Sequence, residues 1–181
     1  DLPNDCNYAE SCASIGLAMF GIRMANITKD ASYIDTVERA LYNTVLAGIA
    51  LDGKSFFYVN PLEVWPDNCM ERTSKEHVKP TRQKWFGVAC CPPNIARILA
   101  SMGQYIYSVG ETALYVHLFI SNEVCIEMET GEVKVSLETK FPFENLVRIK
   151  VSHVPDGGMT LAVRIPEYAG MYQMTAKGQL L

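Results

Sequence analysis

The feature that most constrains the fold of this chain is a change in the spacing of its apolar residues near Gly110. Before that point, apolar residues recur every three to four positions, which is typical of helices. Beyond it they alternate with polar residues, which indicates antiparallel strands with one solvated face. The sequence therefore predicts a helical part over residues 1–109 and a β part over residues 110–181, with the domain boundary near Val109.

Three helices are predicted in the first part. Residues 11–25 are apolar on nearly every side, which indicates a buried helix. A second helix is predicted over residues 32–48, and a third begins near Pro92, because proline suits the first turn of a helix. The segment between Asp52 and Gly87 lacks periodicity, and a loop of that length in a compact protein is usually functional.

Four segments of the second part show the alternation of strands. They are Val124, Ile126 and Met128; Val133, Val135 and Leu137; Val147, Ile149 and Val151; and Leu161, Val163 and Ile165. Together they predict the start of a β-sandwich. His117 and His153 fall in this patterning, and we expect both on the sheet surface.

Composition excludes several classes of protein. Hydrophobic residues make up 49% of the 181 positions and charged residues 20%, which is ordinary for a globular protein. The net charge of −4 argues against a nucleic-acid partner. No apolar run approaches the roughly 18 residues of a membrane helix. The chain opens at Asp1 without an initiator methionine or a signal segment, so we interpret it as a fragment.

The chain has 6 cysteines, and their positions favour metal or reaction chemistry over disulfides. Cys90 and Cys91 are neighbours, which makes a strained disulfide pair. Glu10 and Cys12 open one predicted helix, as Cys90 and Cys91 open another, and irregular turns before helices can aim adjacent side chains at one point. Three thiolates and a carboxylate complete a tetrahedral zinc set. The alternative, buried structural cysteines, stays open on spacing alone.

Four motifs occur in order along the chain. They are ESCASIG at residues 10–16, VERALYN at 37–43, FFYVNPL at 56–62 and WFGVACCPPN at 85–94. Together they closely resemble the β-L-arabinofuranosidase family of glycoside hydrolases, family 127, over roughly residues 6–108. The resemblance implies that this chain holds the last helices of an (α/α)6 barrel followed by the start of a β-sandwich domain.

The resemblance also implies roles for particular residues. A Zn²⁺ ion would be held by Glu10, Cys12, Cys90 and Cys91. Cys90 would be the nucleophile, attacking the anomeric carbon of the sugar with net retention. Glu38 and Tyr58 match positions that contact the sugar in the family. On the residues alone, a solvated helix glutamate and a core tyrosine are the simpler interpretations.

Two departures from the family pattern affect the prediction. Some relatives carry a further cysteine at the position of Val88, which is not a predicted ligand. The acid/base glutamate of the family lies upstream of Glu10, outside this chain. We therefore expect these 181 residues alone to be inactive or nearly so, because general acid assistance contributes about 10²- to 10⁴-fold. We also expect unpartnered helix faces to promote self-association into a homo-oligomer.

Competing functions remain open from the sequence. The leading one is a retaining glycoside hydrolase acting on β-L-arabinofuranosides or a related sugar. A second is a non-catalytic carbohydrate-binding or structural module stabilised by zinc. A third is a thiol-redox protein that uses Cys90 and Cys91. His77 in the long loop is either a cleft residue or an exposed loop residue. Thiolate ligands and the missing signal segment favour a cytoplasmic location, and no membrane partner is expected.

Overall fold

A computed structural model describes residues 3–70 and 75–181 of the chain. They fall into two compact units, Asp1–Tyr105 and Ile106–Leu181. The helices are α1 (Ser11–Thr28), α2 (Ser32–Ala40), a π-helical segment (Leu41–Leu46), a 3-10 turn (Pro66–Asn68), α3 (Cys91–Ala100) and α4 (Gly103–Ile106). The strands are β1 (Tyr107–Val109), β2 (Ala113–Val116), β3 (Asn122–Met128), β4 (Gly131–Thr139), β5 (Val147–His153), β6 (Thr160–Val163), β7 (Thr175–Ala176) and β8 (Gln179–Leu180). The predicted order of helices followed by antiparallel strands is confirmed.

Helix α1 buries one face rather than its whole circumference. Its buried residues recur every three to four positions and are Ser11, Ile15, Ala18, Gly21, Ile22 and Ala25. Phe20 and Ile27 are 56% and 76% exposed. Helix α1 thus packs one face against α2, the π-helical segment and α3, and its other apolar face is uncovered, as expected for a helix that lacks further partners in this chain. In the part of the chain that is described, no helix has the length and apolar character to cross a membrane.

The second helical segment changes its pitch partway along. Residues 32–48 were expected to form one regular helix, but α2 ends at Ala40 and the chain continues as a π-helical segment. The Asn43 side chain donates a hydrogen bond to the carbonyl of Arg39, four residues earlier, at 3.1 Å. That carbonyl is the acceptor which a regular α-helix offers to the backbone, so the side chain competes with the helical ladder.

Two three-stranded sheets make up most of the second unit, which also holds the short two-stranded sheet of β7 and β8. β3, β4 and β5 pair antiparallel throughout, as predicted. In the other sheet, β2 lies between β1 and β6, and its pairing with β6 is parallel. Uniformly antiparallel pairing was therefore the wrong expectation for β6. The chain between β2 and β6 forms the whole of the other sheet, so β6 can return beside β2 in the same direction.

The core of the second unit lies between these two sheets. Alternate residues of β4 are buried, namely Val133, Val135 and Leu137, and Leu114 of β2 packs in the same cluster as Val133 and Val135. His117 was expected on the sheet surface but is buried, and its Nε2 lies 2.7 Å from the Ser108 hydroxyl oxygen. A hydrogen-bond partner makes this burial tolerable for a polar ring. His153 is exposed, as expected.

Candidate metal centre

Two helices begin at one place in the helical unit. Glu10 is the residue before the first turn of α1, and Cys90 holds the same position at α3. Cys12 and Cys91 lie in the first turns of these helices. The positive end of each helix dipole favours a carboxylate or a thiolate there, although Pro92 and Pro93 leave α3 without an N–H group at two of its first positions.

The four side chains converge, with their ligand atoms all within 4.8 Å of one another. Cys91 Sγ lies 3.7 Å from both Cys12 Sγ and Cys90 Sγ, and Cys90 Sγ lies 3.9 Å from Glu10 Oε1. A tetrahedral zinc ion with bonds of 2.3 Å to sulfur requires S···S separations of about 3.8 Å. The two sulfur pairs that include Cys91 have this spacing, and the sulfur atoms of Cys12 and Cys90 lie within 4.8 Å of each other. The donor set of three thiols and one carboxylate therefore fits zinc.

The segment following the turn at Asp52 positions a tyrosine beside this cluster. The backbone N–H of Ser11 donates to the carbonyl of Tyr58 at 3.0 Å, and the Ser11 hydroxyl donates to the carbonyl of Phe57 at 3.0 Å. Ser11 itself is fully buried. These bonds tie the start of α1 to the tyrosine backbone. The Tyr58 hydroxyl oxygen lies 3.3 Å from Cys90 Sγ, within hydrogen-bond distance, and it is the donor of this pair once Cys90 is ionised.

Cys90 is the sulfur atom whose ionisation the surroundings favour. Burial acts to raise the pKa of Cys90, but hydrogen bonds from Tyr58, Cys91 and Cys12 outweigh it, so that pKa lies below its usual value. The same hydrogen bond, together with burial, raises the pKa of Tyr58, which keeps the hydroxyl protonated as a donor. Burial is the main cause that raises the pKa of Cys91. Without a metal, Cys90 ionises first among these three thiols.

Cys12 has a supporting amide. Burial raises the pKa of Cys12, while a hydrogen bond from Asn94 acts in the opposite direction. The Arg97 guanidinium donates to Asn94 Oδ1 at 2.5 Å. Because the amide oxygen is occupied in this way, the amide nitrogen of Asn94 is the group that faces the Cys12 sulfur. Such outer contacts orient the ligands of a metal.

The structure brings together most of the residues singled out from the sequence. Glu10, Cys12, Cys90 and Cys91 form the cluster, and Tyr58 contacts it. Glu38 is 3% exposed on α2 and is not among the four clustered ligands. The roles of these residues as ligands, nucleophile and sugar contacts remain predictions.

Two aromatic residues near the cluster were not assigned from the sequence. His77 stacks on the Tyr58 ring, with ring centroids 4.3 Å apart and an interplanar angle of 22°. The Tyr8 hydroxyl lies 3.5 Å from His77 Nδ1. In the sequence, the one indication that Tyr8 lies near the cluster is its position two residues before Glu10. Of the two interpretations left open for His77, the structure favours a residue beside the cluster.

A second grouping of acidic and sulfur side chains lies in the β unit. Cys125, Glu127 and Glu132 have ligand atoms within 4.8 Å of one another on the paired strands β3 and β4. Cys125 and Glu127 are exposed. Exposed acidic groups of this kind are common without an ion, so we assign no site to them.

Comparison with known proteins places both units among the glycoside hydrolases. A family model described as the GH127 catalytic domain of β-L-arabinofuranosidase matches residues 1–104, and the GH127 middle domain matches residues 113–181. The chain belongs to the GH127 family of β-L-arabinofuranosidases.

Individual relatives agree with this family. The chain is 40% identical to the non-reducing end β-L-arabinofuranosidase of Bifidobacterium longum subsp. longum, over 99% of this chain and 28% of that protein. The crystal structure of a GH127 β-L-arabinofuranosidase from Geobacillus stearothermophilus T6 matches all of the chain with a TM-score of 0.90 and 49% identity, over 28% of its own length. A further GH127 β-arabinofuranosidase matches with a TM-score of 0.84 and 31% identity, over 29% of its length. The chain thus spans less than a third of the length of these relatives.

Proposed function

We propose that this chain is the nucleophile-bearing part of a retaining glycoside hydrolase that acts on β-L-arabinofuranosides or a related sugar. One observation carries the proposal: three sulfur atoms and a carboxylate oxygen from four positions of the sequence lie within 4.8 Å of one another at the starts of two helices. Membership of the GH127 family supports the reaction class.

Glu10, Cys12, Cys90 and Cys91 would hold the metal. Their spacing suits a tetrahedral zinc ion, and the helix starts stabilise the negative charge that these ligands carry. Zinc bound there would keep all three sulfur atoms deprotonated at neutral pH.

Cys90 performs the covalent step in this proposal. Its sulfur bonds to the anomeric carbon as the glycosidic C–O bond breaks, and the leaving oxygen takes a proton from a general acid. We place that acid upstream of Glu10, as the family resemblance implies. Water then adds to the anomeric carbon, loses a proton to the same carboxylate and releases Cys90 as thiolate, so the sugar keeps its configuration.

Cys90 is suited to this role by three features. It is exposed, whereas Cys91 is fully buried, so a substrate reaches Cys90 first. Hydrogen bonds to its sulfur outweigh burial and lower its pKa. The Tyr58 hydroxyl at 3.3 Å orients the thiolate and can turn to a sugar hydroxyl when carbon replaces that contact. We assign sugar contacts to Tyr58 and Glu38, as the family resemblance implies.

The domain assignment belongs to the same proposal. The helical unit would form the last helices of an (α/α)6 barrel, and the β unit would begin a β-sandwich domain, with the boundary predicted near Val109 and Gly110. The exposed face of α1, with Phe20 and Ile27, suits a helix that packs against further barrel helices. The cytoplasmic location and the homo-oligomer stay predictions from the sequence.

Covalent trapping tests the proposal. The protein that carries this chain is incubated with 4-nitrophenyl β-L-arabinofuranoside, denatured, and analysed by peptide mass spectrometry. We expect one pentose added to the peptide that contains Cys90 and none after the substitution Cys90→Ser. A carbohydrate-binding module would form no such adduct, and a thiol-redox protein would instead interconvert Cys90 and Cys91 reversibly without metal.

Metal analysis provides the second arm of the test. We expect one zinc ion per chain in the wild type and a large loss in Cys12→Ser. Cys125→Ser is the matched control, because Cys125 is an exposed cysteine in the other unit and should leave the zinc content unchanged. Equal zinc contents in both variants would contradict the assignment of ligands.

A further inference from the structure

We propose that His77 is a positioning residue of the thiolate centre: its ring, held by Tyr8, fixes the Tyr58 side chain so that the tyrosine hydroxyl meets Cys90 Sγ. This inference rests on the proposed function, because it concerns the same sulfur atom. It extends that function to two residues outside the ligand set.

The contact between the histidine and the tyrosine is a stacked pair. The ring centroids of His77 and Tyr58 lie 4.3 Å apart and the rings are inclined by 22°. Offset stacking of this kind is favourable beyond the area it buries. Phe86 contacts the same tyrosine ring at 5.7 Å and 51°. Backbone bonds fix the main chain of Tyr58, and these two rings pack directly against its side chain, which is 8% exposed.

The histidine is itself tied to the start of the chain. Tyr8 OH lies 3.5 Å from His77 Nδ1, which links residues 69 positions apart. Two residues before His77, Lys75 Nζ forms an ion pair with Asp5 Oδ2 at 2.6 Å. The loop that carries His77 is therefore attached at two points to the segment leading into Glu10. An unattached loop histidine could not impose an orientation on its neighbour.

The hydroxyl position matters because it serves an exposed sulfur atom. Cys90 Sγ has the Tyr58 hydroxyl 3.3 Å away, and a donor to an ionised acceptor forms a stronger bond than a neutral pair does. Hydrogen bonds weaken steeply as their geometry departs from linear. A tyrosine ring free to rotate would leave the thiolate without this donor for part of the time, and a displacement of about 1 Å at a reacting group can cost about 10²-fold in rate.

A double-mutant cycle tests the inference in the protein that carries this chain. The variants are His77→Ala, Tyr58→Phe and their combination, with His77→Phe as the conservative substitution that keeps a stacking ring. His153→Ala is the matched control, because His153 is an exposed histidine of the other unit. The readouts are kcat and KM on 4-nitrophenyl β-L-arabinofuranoside, and the rate at which iodoacetamide alkylates Cys90 in the zinc-free protein.

We expect His77→Ala to lower kcat by up to about 10²-fold with little change in KM, and His77→Phe to recover most of that loss. In the Tyr58→Phe background, His77→Ala should have no further effect on either readout, because the group that it positions is already absent. The alkylation rate of Cys90 should change in the same direction in both single variants. His153→Ala should match the wild type.

Two results would overturn the inference. One is an effect of His77→Ala that is as large in the Tyr58→Phe background as in the wild type. The other is wild-type behaviour of His77→Ala in both readouts. If His77→Ala does not fold, the same cycle is run with Tyr8→Phe, which removes one hydroxyl. Failure of the proposed function is recognised separately, as hydrolysis that survives Cys90→Ser; the alkylation cycle then still decides the role of His77.

Discussion

The contact between α1 and α2 depends on one glycine, and its substitution is the most quantitative test of the fold. A Cβ placed on Gly21 would lie 2.6 Å from Val37 Cγ2 and 3.1 Å from the carbonyl oxygen of Tyr33. Real Cβ atoms essentially never approach another atom as closely as 2.6 Å, and a contact at 3.1 Å is already tight. Val37 is fully buried and has a branched, stiff side chain, so the helices must separate to admit a methyl group.

The expected change in the free energy of unfolding is the sum of two opposing contributions. Overpacking of a dense contact costs about 1–3 kcal/mol. Alanine favours a helix interior over glycine by about 1 kcal/mol. Gly16, five residues earlier on α1, has no atom within 4 Å of its Cβ position, so Gly16→Ala gains the second term without the first. The difference in unfolding free energy between the two variants therefore measures the cost of overpacking the contact between α1 and α2, about 1–3 kcal/mol.

Urea denaturation of the 181-residue chain, followed by far-UV circular dichroism, measures this difference. We expect a higher transition midpoint than wild type for Gly16→Ala and a lower one than Gly16→Ala for Gly21→Ala, with similar slopes for both. Equal stabilisation by the two alanines would refute the close approach of α1 and α2. It would also contradict the packing of α2 against α1, which holds Glu38 in place because that residue lies on α2.

Two further predictions concern the surroundings of the centre. Asn94→Ala should weaken zinc binding by about 10- to 100-fold in competition with a chromophoric chelator, because Cys12 loses the amide that supports its ionised form; unchanged affinity would contradict this role. The hydrogen bond from Lys75 lowers the pKa of Asp5 below 3.8, so the pair stabilises the fold above that pH and ceases to do so as pH falls through the lowered value. Asp5→Asn should therefore lower the melting temperature near pH 7, and the difference from the wild type should shrink as pH falls below 3.8; a difference that does not change with pH would count against the pair.

Much of the fold could be predicted from the sequence, because it depends on local patterns. Spacing of three to four residues predicts helices and alternation predicts strands, since side-chain direction follows directly from backbone geometry. For the cluster, spacing alone left buried structural cysteines as an alternative, and the family resemblance was what implied the set of four residues. Glu10 with Cys12, and Cys90 with Cys91, each open a helix. At a helix start the helix dipole favours negatively charged ligand residues, and the irregular backbone lets adjacent side chains point in the same direction.

Other features were decided only by the tertiary structure. The face of α1 that is covered depends on which helices this chain supplies, and the same apolar pattern allows burial on any side. The parallel pairing of β6 and the burial of His117 depend on where the chain returns, which no period encodes. The contacts of Tyr58 with Cys90 and of His77 with Tyr8 join residues 32 and 69 positions apart through an irregular loop. Contacts of this kind arise when long-range packing and loop closure bring distant segments together, so they have no signature in the local sequence.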